Sequence, residues 1–331
     1  MSTNIRSFAK VNIGLRIGSR REDGFHELRT VYQTIGLHDT IRVQAGRGTG
    51  IEIRCKNPKV PDDETNTCWR VTERVLKVLK KRAKVSITIT KNLPVQGGMG
   101  AGSSNAVATL IALERELKEQ LEPAQRLQIA AEVGSDLPLF LVGGTILGIG
   151  RGEQVFPLPD LPSIACVIAT PPIAVSTPKA FTDWDEKFDA SERESSGRES
   201  KGKLTSGGPF GTINEFSTSV FAWLMSTTAG VPAKSGDRAE TPLLDLVRAG
   251  IENDFERVFF PQYPELRDVK RVLEREGAKY ASLSGSGSTV YGLFETTEAA
   301  DNAAAKLQAK GVPASATRTM SRGDYWRDIW I

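Results

Sequence analysis

Alternating apolar and polar residues predict strands at several places along the chain. Val85, Ile87 and Ile89 lie on one face of the segment 85–91 and polar residues lie on the other, which is the period of a half-buried strand. Apolar runs bounded by turn residues predict further strands in the second half of the chain. These cover residues 163–169, 280–283, 290–294 and a segment from about 312.

Apolar residues at spacings of three and four predict helices between these strands. Ala106, Leu110, Leu113 and Leu117 show this spacing in the segment that follows the first strand. The same pattern, with proline in the first turn of one helix, predicts helices over 67–84, 106–117, 123–134, 263–276 and 297–310. Mixed strands and helices of this kind indicate an α+β chain with two lobes.

One internal stretch departs from this pattern. Charged residues dominate 183–203, where Trp184, Phe188 and Ala190 are the only hydrophobic residues. Such a stretch buries little apolar surface, so we predict a mobile insertion that continues in glycine and serine to about Thr212.

Composition excludes several classes of protein. The 331 residues allow two domains, and 39% hydrophobic with 25% charged residues is typical of a globular chain rather than a disordered one. The net charge is +3, without a block of like charges, which argues against a nucleic-acid partner.

Three scattered cysteines, Cys55, Cys68 and Cys166, form no CxxC pair and predict buried thiols in a reducing compartment. No leader pattern and no membrane-spanning apolar run is present, so we expect a cytoplasmic protein without a membrane partner.

A glycine-rich segment, PVQGGMGAGSSNA from Pro94, follows a predicted strand and enters a predicted helix. Free N–H groups and the helix dipole would face an anion there, and glycine permits positive φ. Ser103 and Ser104 suit capping of the helix. A P-loop would need a lysine, and a dinucleotide fingerprint would need glycine at position 103. We favour phosphate binding over a tight turn with a capped helix.

The remaining polar and aromatic candidates are weak when spacing alone is considered. A lysine in a strand, as Lys10 is, usually faces solvent, and Asp136 suits a helix N-cap or turn. His26 follows an Asp-Gly turn, while Phe25 and Phe181 would ordinarily belong to a core.

Two other glycine clusters are ambiguous. The segment LSGSGSTVYGLF from Leu283, with Gly285, Ser286 and Gly287, fits a hairpin turn and a second glycine loop equally well. The segment GIGRG from Gly148 fits a bulge or strand end better.

In their order along the chain, these segments resemble the GHMP small-molecule kinases. The resemblance rests on AKVNIGLRIGSRREDGFHEL, PVQGGMGAGSSNAVATL, GSDLPLFLVGGTILGIGRGE, NDFE from Asn253, and LSGSGSTVYGLF. Within the family, AKVN followed by RREDGFH resembles the members that phosphorylate the 2-hydroxyl of a cytidine diphosphate-linked methylerythritol, in the non-mevalonate route to isoprenoids. Residues from about 184 to 242 have no counterpart.

The resemblance implies a two-lobed α+β GHMP kinase fold, with an N-terminal lobe like ribosomal protein S5 domain 2 and a ferredoxin-like C-terminal lobe. It implies an active site in the cleft between the lobes. We accordingly expect an ATP-binding lobe over 1–160 and a second lobe over 161–331, with the mobile insertion at about 184–242.

The resemblance also implies roles for individual residues, with ATP and Mg²⁺ as cofactors. Asp136 would accept the hydroxyl proton and Lys10 would lie between it and the phosphoryl group. Phe25 and His26 would contact the cytosine ring, Phe181 would close its other face, and Asn12 would contact substrate. The ATP phosphates would be bound by Pro94, Val95, Gln96, Gly97, Gly98, Met99, Gly100, Ala101, Gly102, Ser103 and Ser104. A serine hydroxyl of that loop is available to Mg²⁺, but no carboxylate ligand is identified.

Other functions stay open at this point. A homoserine or mevalonate-type kinase would have no use for the Gly-Phe-His segment and Phe181. A non-catalytic nucleotide-binding module is disfavoured by the retained Lys10, Asp136 and glycine loop. Monomer and homodimer are both compatible with the sequence.

Overall fold

The computed structural model describes residues 2–95, 97–196 and 252–331. The chain forms two compact units. Unit 1 comprises Met1–Val11, Tyr32–Ser163 and Thr319–Ile331, and unit 2 comprises Asn12–Val31 and Ile164–Arg318. The chain passes from unit 1 to unit 2 near the expected boundary at residue 160. The units differ from a single division there, because residues 12–31 belong to unit 2 and residues 319–331 to unit 1.

The first sheet has the strand order β3-β4-β2-β5-β6, and β1 also pairs with β2. Its strands are β1 (Thr3–Arg20), β2 (His26–Gly46), β3 (Gly50–Cys55), β4 (Lys84–Thr90), β5 (Thr145–Gly150) and β6 (Gln154–Pro157). Strand β4 pairs antiparallel with β2 and parallel with β3. Val85, Ile87 and Ile89 of β4 are buried, so the strand predicted from their alternation is confirmed.

Helices accompany both units at most of the predicted positions. The described helices are α1 (Thr67–Val78), α2 (Ala101–Leu117), α3 (Pro123–Val133), α4 (Leu137–Val142), α5 (Thr177–Ser196), α6 (Glu256–Gln262), α7 (Pro264–Arg275), α8 (Thr297–Ala309) and α9 (Arg322–Asp328). The α3 helix starts where the sequence indicates, because Pro123 occupies its first turn and Glu122 forms a capping box with Gln125.

The second sheet lies in unit 2 and is antiparallel, with the strand order β10-β7-β9-β8. Its strands are β7 (Ala165–Ala169), β8 (Tyr280–Leu283), β9 (Val290–Phe294) and β10 (Ala314–Arg318). All four strands were predicted from apolar runs and are confirmed. The core of unit 2 includes the fully buried Phe255, Phe259 and Phe294.

The prediction that a mobile insertion starts at about residue 184 is wrong at its start. Residues 184–196 continue the α5 helix. The Trp184 side chain is 7% exposed, and its ring lies 4.0 Å from that of Phe188 and 6.5 Å from that of Phe255. Apolar burial by two aromatic side chains therefore orders a segment whose composition suggested mobility. The rest of the predicted insertion, residues 197–242, lies outside the described residues.

The cysteines are unpaired, and Cys68 and Cys166 are buried, whereas Cys55 is half-buried. Burial raises the pKa of the Cys68 thiol to about 12, which makes it unreactive at neutral pH. Among the described residues, none of the helices combines the length and apolarity that a bilayer crossing requires.

Candidate functional site

The glycine-rich segment forms the predicted loop between a strand and a helix in unit 1. It begins after β4 ends at Thr90 and runs into α2 at Ala101. Gly98 has φ +79° and Gly100 has φ +67°, a region that favours glycine. A Cβ on Gly100 would lie 3.0 Å from Phe140 Cζ and 3.3 Å from Lys10 Cε. Conformation and space therefore both require glycine at position 100. Gln96 lies outside the described residues.

Ser103 and Ser104 do not cap the helix, contrary to the prediction. The α2 helix begins at Ala101 and its N-cap is Gly100, so both serines lie in its first turns. Ser104 is 2% exposed, and its Oγ lies 2.7 Å from Ser7 Oγ. Since Gly100 has no side chain to satisfy the first N–H groups of α2, these groups and the helix dipole suit an anionic group.

Both ends of this loop are attached to Asp39, a residue that the sequence patterns did not identify. Its carboxylate is fully buried. Oδ1 accepts hydrogen bonds from the backbone N–H groups of Asn92 and Leu93, each at 2.8 Å. Oδ2 accepts from Asn105 Nδ2 at 3.1 Å and from Lys91 Nζ. One carboxylate thus connects the residues before the loop to the residue after it.

Lys10 is buried, which corrects the solvent-facing position that strand spacing favours. Its side chain is 3% exposed, because β1 is buried on both of its faces at this point. Lys10 Nζ lies 3.4 Å from Asp136 Oδ2. Its backbone N–H donates to Met99 O at 3.1 Å, which ties the lysine to the glycine loop. The structure therefore brings together Lys10, Asp136 and the loop.

Asp136 occupies the helix N-cap position that its sequence context predicts, at the start of α4. Its side chain makes no capping hydrogen bond to that helix. Instead Oδ1 accepts a hydrogen bond from the hydroxyl of Tyr32 at 3.2 Å, while Oδ2 faces Lys10. The carboxylate is 33% exposed, so a group from solvent can reach it. Tyr32 is a second residue that the sequence analysis missed.

In unit 2 the structure brings together His26 and Phe181. Their rings stack with centroids 5.3 Å apart and an interplanar angle of 7°. His26 Nδ1 lies 3.1 Å from Gly18 O, and Nε2 lies 2.9 Å from Asp185 Oδ1. Both nitrogens of this imidazole therefore face acceptors, which fixes the ring. Asp185 lies on α5, in the stretch predicted to be mobile, and was not identified as a site residue.

The other predicted substrate residues, Phe25 and Asn12, also lie in unit 2 but differ in exposure. The Phe25 ring is 52% exposed, on the turn before His26. Asn12 is 1% exposed, and its Nδ2 donates to Thr30 Oγ1 at 2.8 Å. Phe25 is thus available to a ligand, whereas the amide of Asn12 already supports the adjacent strand.

The second glycine segment forms the hairpin connection between β8 and β9. Gly285 has φ +59°, and Asn253 Nδ2 donates to Leu283 O at 2.8 Å and to Gly285 O at 2.9 Å. Ser286 Oγ lies 2.9 Å from Thr177 Oγ1. The hairpin interpretation of Gly285, Ser286 and Gly287 is confirmed, and contact with a phosphate stays a prediction.

Two family models match the chain. Residues 66–144 match the model "GHMP kinases N terminal domain", and residues 239–313 match "GHMP kinases C terminal". The first range contains the glycine loop and Asp136, and the second contains Asn253 and Gly285.

Curated relatives named 4-diphosphocytidyl-2-C-methyl-D-erythritol kinase match most of the chain. The relative from Solibacter usitatus is 36% identical over 89% of this chain and 82% of its own length. The relative from Caldanaerobacter subterraneus is 33% identical over 90% of each chain.

Solved structures have the same fold. A crystal structure of 4-(cytidine 5'-diphospho)-2C-methyl-D-erythritol kinase matches with a TM-score of 0.70 and 27% identity, covering 96% of this chain and 99% of that chain. A homoserine kinase from Cytophaga hutchinsonii matches with a TM-score of 0.65 and 20% identity, covering 97% of this chain and 95% of the other. This last similarity establishes the fold alone.

Proposed function

We propose the function of this chain from one premise: the chain belongs to the 4-diphosphocytidyl-2-C-methyl-D-erythritol kinase family of the GHMP kinases. The chain transfers the γ-phosphoryl group of ATP to the 2-hydroxyl of 4-diphosphocytidyl-2-C-methyl-D-erythritol. The new bond joins the hydroxyl oxygen to the γ-phosphorus, and the bond from that phosphorus to the β-phosphate oxygen breaks. The proton goes to Asp136 and ADP leaves. The observation that carries this proposal is the buried Lys10 held against Asp136 beside the glycine loop.

The loop of residues 94–104 binds the phosphates of ATP. Positive φ at Gly98 and Gly100 turns the backbone, and the N-terminus of the 17-residue α2 presents N–H groups with a favourable dipole. A side chain at position 100 would contact Lys10 and Phe140. These features support close approach of a phosphate to the backbone near Lys10.

Asp136 and Lys10 perform the two tasks that phosphoryl transfer requires of side chains. The transition state is loose, so catalysis depends on positioning and on neutralising charge more than on a strong base. Asp136, one third exposed, accepts the proton of the alcohol as the new bond forms. Lys10 supplies a buried cation for the oxygens of the transferred group.

Mg²⁺ suits this arrangement, because in phosphoryl-transfer sites it binds mainly to phosphates and water and needs few protein oxygens. Within the described ranges, no group of three or more His, Cys, Asp or Glu side chains is placed to hold a metal. The Ser103 hydroxyl, half-buried in the first turn of α2, is the donor that fits, since Ser104 already pairs with Ser7. When bound, Mg²⁺ neutralises charge on the β- and γ-phosphates.

Unit 2 provides the residues that recognise the cytidine part of the substrate. Phe25 and Phe181 offer aromatic faces for stacking, which tolerates any base. Hydrogen bonds must therefore select cytosine, and the region around His26 supplies them. Because Gly18 O and Asp185 hold the imidazole, His26 presents a fixed edge and backbone to the base.

The test of the function measures ADP release from Mg-ATP with 4-diphosphocytidyl-2-C-methyl-D-erythritol and, separately, with homoserine, mevalonate and galactose. We expect turnover with the cytidine-linked alcohol alone. Turnover with another alcohol alone would keep the kinase and overturn the cytidine site. Absence of turnover with all four, while ATP still binds, would favour a non-catalytic nucleotide-binding module.

Asp39→Asn should weaken ATP binding through the loop that Asp39 holds. The substitution removes the charge opposite Lys91 and makes one of the two oxygens a donor facing N–H groups. We expect the KM for ATP to rise about tenfold, because a hydrogen bond to a charged group is worth about 1.5–3 kcal/mol. Steady-state kinetics with varied ATP measures this change.

Asp254→Asn is the matched control. Asp254 is also a buried aspartate, 1% exposed, which accepts hydrogen bonds from Arg16 at 2.8 Å and from Ile17 N at 2.9 Å. Both variants should lower the thermal unfolding temperature, but only Asp39→Asn should change the KM for ATP. Equal KM values in the two variants would contradict the assigned role of Asp39.

A further inference from the structure

The carboxylate of Asp136 has a partner on each oxygen, and the proposed mechanism uses only one of them. Oδ2 faces Lys10 Nζ at 3.4 Å, and Oδ1 accepts the hydrogen bond from the Tyr32 hydroxyl at 3.2 Å. We propose that Tyr32 is a positioning residue, which fixes the plane of the Asp136 carboxylate so that Oδ2 stays directed toward Lys10 and the substrate hydroxyl. This inference rests on the proposed function.

Tyr32 occupies a space that two glycines leave open. Its side chain is 2% exposed at the point where β2 enters unit 1. A Cβ on Gly148 would lie 2.4 Å from Tyr32 Cε2, and a Cβ on Gly152 would lie 2.4 Å from the Tyr32 hydroxyl. Neither approach is sterically possible. The segment GIGRG, which the sequence analysis interpreted as a strand end, therefore also provides the cavity for this ring.

The same ring lies next to the catalytic lysine. Lys10 Nζ is 5.4 Å from the centroid of the Tyr32 ring, within the range of a cation–π interaction. Tyr32 thus contacts both members of the catalytic pair, one through its ring and the other through its hydroxyl.

Positioning is needed because the carboxylate torsion of aspartate is broad when nothing holds it. Asp136 makes no capping hydrogen bond to α4, so the hydroxyl of Tyr32 is what orients Oδ1 within the contacts described above. Burial, and then the nearby charge of Asp136, raises the pKa of the Tyr32 hydroxyl well above its ordinary value of 10. The hydroxyl therefore remains a donor at neutral pH and takes no part in the transfer of the substrate proton.

Tyr32→Phe tests the proposal because it keeps the ring and removes only the hydroxyl. We expect kcat with the cytidine-linked alcohol to fall about tenfold, because misplacement of a catalytic group by a fraction of an ångström slows the reaction at unchanged binding. The KM values for ATP and for the alcohol should stay within about twofold, since removing an interaction that acts in the transition state lowers kcat alone.

Tyr325→Phe is the control for loss of a buried hydroxyl. Tyr325 is 2% exposed, and its hydroxyl donates to Phe140 O at 2.8 Å, away from Asp136. This variant should lose stability without a fall in kcat. Equal kcat values for Tyr32→Phe and Tyr325→Phe would reduce Tyr32 to a structural role and overturn the proposal.

Gly148→Ala gives a second route to the same displacement. The added methyl group forces the Tyr32 ring to move, so kcat should fall by about the same factor as in Tyr32→Phe. The double variant should fall little further, because the hydroxyl contact is already lost. Multiplied effects in the double variant would overturn the proposal. Absence of turnover by the unsubstituted chain would overturn the proposed function and this inference together, whereas normal turnover with an unaffected Tyr32→Phe would overturn only the role of Tyr32.

Discussion

Asp136→Asn should lower kcat about a hundredfold, the lower end of the effect of removing a general base. The amide keeps the size of the side chain but has no negative charge and accepts the alcohol proton poorly. ATP binding should stay within about twofold, because the loop of residues 94–104 is anchored by Asp39 and does not depend on Asp136. Single-turnover kinetics at saturating ATP measures the chemical step, and equilibrium titration with ATP measures binding.

Asp160→Asn is the matched control for this result. Its carboxylate is 28% exposed, against 33% for Asp136, and it lies 3.8 Å from an Arg322 nitrogen, comparable to the Lys10 contact of Asp136. Asp160 accepts a hydrogen bond from Thr145 N and contacts neither Lys10 nor Tyr32 in the described interactions. We expect its kcat to be unchanged. An Asp136→Asn variant with a kcat near that of the control would remove Asp136 from the catalytic role.

Lys10→Met should lower kcat by about 100- to 1,000-fold, the range found when one group that stabilises developing charge is removed. Methionine fills much of the buried volume of lysine without its charge, so the packing of β1 is largely kept. The lost cation leaves charge on the transferred group uncompensated. Because Lys10 also borders Gly100 in the loop, the KM for ATP should rise as well, but by less than kcat falls.

Lys270→Met separates this effect from general loss of an ion pair. Lys270 Nζ lies 2.7 Å from Glu256 Oε2, and the two side chains are 24% and 13% exposed, in unit 2. Its loss should lower stability modestly and leave kcat unchanged. A Lys10→Met variant with kcat within about fivefold of the unsubstituted chain would be incompatible with a role in charge stabilisation.

The elements of both units could be predicted where local pattern decides them. The alternation in β4 and the apolar spacing in α2, α7 and α8 reproduce the observed elements within a few residues. The start of α5 was missed because composition over 183–203 shows charge, whereas the burial of Trp184 and Phe188 depends on contacts with Phe255, a residue distant in the chain. Local composition does not record such a contact.

The sequence by itself determined the glycine loop. Its chemistry is local: glycine alone permits the positive φ at positions 98 and 100, and a strand followed by a helix places N–H groups at the turn. The order of its segments also identified the kinase family. These features are encoded in neighbouring residues and are visible without coordinates.

Only the tertiary structure decided which polar residues work together. Strand spacing favoured a solvent-facing Lys10, but β1 is covered on both faces and the amine is buried against Asp136. Asp39, Tyr32 and Asp185 carry no local signal, because each acts on a residue far along the chain. A buried charged or hydroxyl group is stable only with a partner, and the fold supplies that partner from a distant segment.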